Sequence, residues 1–326
     1  MAVLLIVCGV TAFSAFTGVG SAVAGPSGAA ITAAPLFANT ALSTQPEPDR
    51  PSSVDPAMRR TGTNREGWAT YRLAAGRIPD RLAPGAGFRG EISWLQDGLV
   101  RKARLYVPRS VAPAAPLLVS LHGLGASLRK AEAQQHWSQL AYQQEFVLVW
   151  GAGYKGSWNA GWCCGAAVRE NVDDLAYLDR LIEVTGALHS LDPRRLNLAG
   201  FSNGAMMAYR YACGRPGRIA AVLAVSGTLT APCTPSNPTA ILVVHGSADP
   251  TVPLAGTRFS ATLRSALRPA RQAAGEWAQT GAGVRTVVLP GFAHGWPTRA
   301  KGGYDTTGEG WRFLRQHPRP AGSTRS

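Results

Sequence analysis

A chain of 326 residues, 45% of them hydrophobic, has ample apolar side chains for a large core. Its net charge of +14 suggests an anionic partner at first sight, but the positive charge is 29 Arg against 4 Lys, spread along the whole length without a five-residue basic block. Nucleic-acid surfaces cluster their basic residues and interleave them with aromatics, so no nucleic-acid partner is expected. Weak adsorption to acidic polymers is what charge alone implies.

In chain order, Val3 to Phe16 is apolar and small residues lead to Ala22-Val23-Ala24, an A-x-A cleavage pattern. Residues 1–24 therefore read as a signal peptide of an exported protein, although no Lys or Arg precedes Arg50 to form a basic start. The apolar run is too short and broken for a membrane span. Residues 25–84, rich in Ala, Pro, Ser, Thr and Gly, lack periodicity and read as a poorly ordered prefix. A catalytic domain is predicted over 85–317, with 318–326 as a tail. Phe88 to Val107 reads as a β-ribbon turning at Gln96-Asp97-Gly98. Then apolar runs alternate with helical stretches. Strands are predicted at Leu117–Leu121, Phe146–Trp150, Arg195–Ala199, Ala221–Val225, Ala240–His245 and Arg285–Leu289. Helices are predicted at Arg129–Gln144, Asn171–Leu188, Ala205–Cys213, Gly256–Leu267 and Gly310–His317. This alternation predicts an α/β fold, a mostly parallel sheet with helices on both faces.

The sharpest motif is Gly200-Phe201-Ser202-Asn203-Gly204, between a predicted strand and a predicted helix. A G-x-S-x-G there is a nucleophile elbow, which exposes the serine hydroxyl on a tight turn above an α/β-hydrolase sheet. A serine needs a base and an acid to orient that base, and in this fold they follow in the order acid, then His. Asp249 lies on the loop after the apolar run Ala240 to Val244, and His294 on the loop after Arg285–Leu289, where ligands of open α/β sheets collect. His245 precedes the acid, and His317 lies in an Arg/Pro-rich tail, so neither fits the base. The oxyanion hole is assigned to the backbone N–H of Asn203 and, from the loop His122-Gly123-Leu124-Gly125-Ala126, to that of Leu124. His122 reads as a residue that packs this loop. Trp158, Trp162 and Trp296 are candidate substrate-binding residues, able to stack on a planar or sugar-like group. Asp173 and Asp174 read as helix-capping carboxylates.

Several stretches together resemble a known family: Leu121-His122-Gly123, Ser157-Trp158-Asn159-Ala160-Gly161-Trp162-Cys163-Cys164-Gly165, Val172-Asp173-Asp174-Leu175-Ala176-Tyr177-Leu178, the elbow with Ala205-Met206-Met207, and His245-Gly246-Ser247-Ala248-Asp249. Over roughly Gly90 to Leu314 the chain is similar to the secreted polyhydroxybutyrate depolymerase-like esterases, relatives of feruloyl and acetylxylan esterases. The resemblance implies a serine carboxylic-ester hydrolase with no metal or organic cofactor and with the triad on Ser202, Asp249 and His294. Its substrate would be an ester, foremost a polyhydroxybutyrate-type polyester or its oligomers, with feruloyl or acetylxylan esters as the alternative. Relatives often carry Cys or Gly where this chain has Leu124. A serine peptidase and a non-catalytic hydrolase fold are the competing classes; no propeller or cap domain is present to select peptides.

With Cys8 removed with the signal, Cys163, Cys164, Cys213 and Cys233 remain, an even number that suggests two disulfides. Adjacent cysteines bridge only in unusual geometry, so Cys163 and Cys164 are each expected to reach one of Cys213 and Cys233, in either order. No C-x-x-C pair supports a zinc site.

Overall fold

The computed structural model describes residues 57–320. The signal-peptide reading of 1–24, the first part of the prefix and the end of the tail lie outside the described residues.

Two short strands open the described chain, β1 (Met58–Thr63) and β2 (Ala69–Leu73), followed by a hairpin of β3 (Phe88–Gln96) and β4 (Leu99–Val107). Then come β5 (Ala115–Leu121), α1 (Leu128–Gln135), α2 (Trp137–Gln144), β6 (Val147–Gly151), α3 (Gly165–Arg169), α4 (Asp174–Leu188), β7 (Leu191–Phe201) and α5 (Asn203–Gly214). The rest is β8 (Ala221–Val225), β9 (Ala240–Gly246), β10 (Thr257–Ser260), β11 (Ser265–Leu267), α6 (Ala270–Ala278), β12 (Val284–Leu289) and α7 (Thr306–Gln316). Ten strands form one sheet in the order β1-β2-β3-β4-β6-β5-β7-β8-β9-β12. From β6 to β12 all neighbours are parallel, while β4 runs antiparallel to both β3 and β6.

Period two along the strands explains the layering. Leu117, Val119 and Leu121 of β5 face one core with Ile241 and Val243 of β9, covered by α4, α5 and α6. Leu118 of β5, Leu148 and Trp150 of β6 and Leu242 and Val244 of β9 face the other, covered by α1, α2 and α7. A sheet buried on both faces reads as continuous apolar runs, which is why β5, β6, β8 and β9 stand out in the sequence.

Three expectations need correction. Within 57–84, expected as poorly ordered prefix, β1 and β2 extend the sheet: β2 pairs in parallel with β3, and Trp68, Tyr71 and Leu73 are buried. Arg104, buried on β4, binds Glu66, Glu91 and Glu132 together and so ties this added ribbon to α1. The stretch Gly256–Leu267, expected as a helix, is the hairpin β10–β11. Arg264 adopts a left-handed backbone at the turn, φ 54°, which no helix interior accommodates. The helix α6 that follows lies outside the predicted elements. Finally, the stretch predicted as one helix over Arg129–Gln144 is two, broken at His136, whose φ of 55° caps α1.

Candidate active site

Ser202 stands between β7 and α5 with φ 54° and ψ −119°, a conformation an L-residue holds only when its surroundings impose it. The two elbow glycines follow from contact. A Cβ on Gly200 would fall inside the shell of the Gly204 carbonyl, and one on Gly204 would strike the Leu121 carbonyl at the end of β5. Gly227 closes the turn from the β8 side, where a Cβ would lie 2.5 Å from that of Ala205.

Asp249 and His294 come to Ser202 from the carboxyl ends of β9 and β12. These loops interlock: Ala248 N–H donates to the Phe292 carbonyl at 3.1 Å, and Gly291 N–H to Ser247 Oγ at 2.9 Å. From the loop after β8, Ser226 Oγ donates to the Gly295 carbonyl at 3.1 Å and fixes the histidine loop. The result is one hydrogen-bonded line. His294 Nδ1 lies 2.8 Å from Asp249 Oδ2, and His294 Nε2 lies 3.0 Å from Ser202 Oγ.

The protons on this line can be placed. Asp249 Oδ1 accepts the N–H groups of Thr251 at 2.9 Å and Val252 at 2.8 Å. Burial pushes the Asp249 carboxyl up, but the His294 and Val252 N–H groups and the fields of His294 and His245 outweigh it, so its pKa lies below the ordinary carboxylate range. An ionised Asp249 only accepts, so His294 carries its proton on Nδ1, and Nε2 is left to accept from the Ser202 hydroxyl. The His294 side chain keeps 19% exposure against none for Asp249, so the imidazole reaches solvent while the carboxylate is sealed.

The loop after β5 is held in a way that leaves the Leu124 N–H unspent. Gly153 N–H donates to His122 Nε2 at 2.9 Å, so the ring proton sits on Nδ1 and is given to the Gly123 carbonyl at 2.8 Å. Burial lowers the pKa of His122, which keeps it neutral in this role. Its place in the loop is the packing position expected from the sequence. Gly125 N–H donates to the Gly156 carbonyl at 2.8 Å. Among the described residues, neither the Leu124 nor the Asn203 N–H is taken by an acceptor.

Two of the three tryptophans are not where a stacking role needs them. Trp158 is fully buried, its Nε1–H donating to the His122 carbonyl at 2.9 Å. Trp296 is buried against Trp137, with its Nε1–H on Thr307 Oγ1 at 3.1 Å. Both are supports of the site's walls. Trp162 alone is open, 47% exposed, with the Arg268 guanidinium 5.7 Å from its ring. Its backbone N–H donates to the Thr230 carbonyl at 2.7 Å, and this bond holds the loop against the segment after β8.

Asp173 caps α4 through Ala176 N–H at 2.9 Å, but Asp174 is no cap. It is buried 2.6 Å from the buried guanidinium of Arg101, and its other oxygen accepts Asn159 N–H at 2.7 Å. The sequence reading assigned nothing to Arg101, nor to the Asn203 side chain. The latter clasps Trp158, accepting its N–H at 2.8 Å and donating to its carbonyl at 3.1 Å. An amide side chain directly after Ser202, at a position where any residue would supply a backbone N–H, is the signal the sequence offers.

The cysteines pair otherwise than expected. Cys163 is bonded to Cys164 and Cys213 to Cys233. The Cys163–Cys164 peptide is cis, and the two Cα atoms lie 3.1 Å apart, which is how neighbours meet. Among the described residues no helix is long and apolar enough to cross a membrane.

Comparison with known proteins agrees with this fold. A family model described as phospholipase/carboxylesterase matches residues 170–278, a span that holds Ser202 and Asp249. The bifunctional acetylxylan esterase/xylanase XynS20E of Neocallimastix patriciarum is 29% identical over 157 residues, 47% of this chain and 22% of that protein. The probable feruloyl esterase C of Aspergillus terreus is 31% identical over 144 residues, 43% of this chain and 51% of that protein. The chain thus spans about half the length of the curated relatives it matches, or less. An S-formylglutathione hydrolase from Agrobacterium tumefaciens superposes with a TM-score of 0.53 at 15% identity, covering 73% of this chain and 98% of that one, a likeness of fold. With a mostly parallel sheet, an elbow between β7 and α5 and relatives of this kind, the chain has an α/β-hydrolase fold and is similar to esterases built on it.

Proposed function

We propose that this protein is a serine carboxylic-ester hydrolase working through an acyl-enzyme on Ser202. The observation that carries the reading is the unbroken line from Asp249 through His294 to the Ser202 hydroxyl, with the proton placed so that Nε2 is free to accept. Ser202 Oγ attacks the ester carbonyl carbon as its proton passes to His294 Nε2. Asp249 stabilises the imidazolium that forms. The carbonyl oxygen takes up negative charge opposite the Asn203 and Leu124 N–H groups. Collapse breaks the bond to the alkoxide, which leaves with the proton from Nε2. Water, deprotonated by the same nitrogen, then cleaves the acyl-serine and restores the enzyme.

Feruloyl or acetyl esters of plant polysaccharide are favoured as substrates, because the curated relatives carry those activities in their names. A polyhydroxybutyrate-type polyester is the second reading, supported by the exposed apolar side chains Leu124 and Trp162 on loops that reach the elbow. Export fits two disulfides, which persist in oxidising compartments. The test is hydrolysis of methyl ferulate, acetylated xylan, a 3-hydroxybutyrate oligomer and p-nitrophenyl butyrate by wild type and Ser202→Ala. Turnover of any of these that depends on Ser202 supports the reading, and the preferred substrate decides between the two. Turnover of none, or turnover that survives Ser202→Ala, overturns it.

A further inference from the structure

The reaction scheme leaves one buried titratable group beside the triad without a task. His245 is the penultimate residue of β9 and is fully buried. Its Nε2 lies 2.7 Å from the Val252 carbonyl, and a carbonyl only accepts, so this nitrogen carries the proton. Nδ1 has no partner among the described residues. Burial lowers the pKa of His245, offset only in part by the Val252 carbonyl and Asp249, so the ring is neutral.

Two contacts make this ring more than packing. Val252 is held from both sides, since its N–H donates to Asp249 Oδ1 while its carbonyl accepts from His245. The same Nε2 is also 3.5 Å from Asp249 Oδ2, the oxygen that receives His294. That is too long for a full hydrogen bond, yet it sets the positive end of an N–H dipole against the carboxylate where both side chains are buried. The charged and titratable groups acting on His245 are Asp249 and His294, and those acting on Asp249 are His294 and His245.

We propose that His245 is a positioning residue of the reaction: its Nε2–H closes the acid loop on Val252 and tempers the Asp249 carboxylate that His294 leans on. The proposal rests on the ester-hydrolase reading. Without the donor, the carboxylate is more basic and holds the His294 imidazolium more firmly. The acid limb of kcat/KM, which reports the free base, then moves to higher pH.

The experiment compares His245→Leu, His245→Gln and His245→Asn with wild type. Gln sets an amide N–H at the reach of Nε2, whereas the Asn amide reaches only the Nδ1 position. Active sites are counted by stoichiometric phosphonate labelling. Hydrolysis of p-nitrophenyl butyrate is followed from about pH 4 to about pH 9, bracketing a histidine base. The low-field proton resonance of His294 Nδ1–H is followed over the same range. Leu and Asn are expected to lower kcat per active site about tenfold, the loss of one hydrogen bond, with KM unchanged and the acid limb and resonance midpoint raised. Gln restores both. Wild-type kcat per site and an unmoved midpoint in Leu or Asn overturn the proposal, as does a Gln variant no better than Asn. If Leu does not fold, the Gln and Asn pair carries the comparison. Wild type without Ser202-dependent hydrolysis overturns the ester-hydrolase reading and the proposal with it. Ser202-dependent hydrolysis with no shift in the His245 variants overturns the proposal alone.

Discussion

Replacing Asp249 by Asn tests the proton placement directly. The two carboxylate oxygens are not equivalent. Oδ1 sits before the N–H groups of Thr251 and Val252, and Oδ2 faces His294. In Asp249→Asn the amide oxygen takes the Oδ1 position, because two backbone donors face it and an NH2 group there would meet them head-on. The NH2 group is then forced toward His294 Nδ1, which must become an acceptor. The imidazole proton moves to Nε2, and the Ser202 hydroxyl loses its base. Such a wrong-tautomer change costs roughly ten-thousand-fold in kcat, about 5.4 kcal/mol of barrier. Both loop hydrogen bonds survive, so the fold should hold. The assay is kcat on p-nitrophenyl butyrate at neutral pH, with Ser202→Ala as the floor and thermal unfolding as the control. A variant within tenfold of wild type refutes the tautomer argument. The same substitution has a pH signature in stability. An Asp with its folded pKa depressed contributes stability fully present above its unfolded pKa of about 3.9 and lost as pH falls through the lower folded value. The urea stability gap between wild type and Asp249→Asn should therefore be constant above about pH 5 and shrink below about pH 4.

Three further outcomes are expected. Gly204→Ala drives a methyl into the Leu121 carbonyl and should destabilise by about 3 kcal/mol in denaturant unfolding, with serine labelling lost in the fraction that folds. Arg101→Leu strands the buried Asp174 and should cost about 3–5 kcal/mol, read from the urea midpoint at constant slope, whereas Arg101→Leu with Asp174→Asn together should cost less than the sum. Replacing Cys213 and Cys233 by Ser opens a crosslink of sequence separation 20, worth about 3 kcal/mol on the loop-entropy account, and should lower Tm without changing KM.

What the sequence discloses follows from where a residue's partners lie. β8 is predicted to the residue, because a strand buried on both faces shows as an apolar block whatever its neighbours are. Gly200 and Gly204 disclose the elbow because their constraint is local. The hairpin β10–β11 was hidden by a false period: Phe259, Leu263 and Leu267 are spaced like one helical face, yet Phe259 points to solvent while the two leucines are buried. β1 and β2 were hidden because their stability comes from pairing with β3 and from Glu66 on Arg104, partners distant in the chain. Trp158 and Trp162 show the limit most simply. They share one loop and one composition, and only the packing decides that the first supports the wall and the second faces outward. Cys163 and Cys164 show another, since spacing alone cannot say that a peptide bond is cis.

The clasp of the Asn203 amide on Trp158, with Trp158 bonded in turn to His122 and His122 to Gly153, has a consequence for how this protein can diverge. These residues form one connected chain of hydrogen bonds, so a change at any one of them disturbs the floor beneath Ser202, and such changes will be strongly non-additive. Leu124 and Trp162 sit on the same loops but turn their side chains outward. Descendants of this chain can therefore exchange the rim while inheriting the floor unchanged, and on the proposed reading a new ester preference can arise by substitutions that leave the chemistry at Ser202 intact.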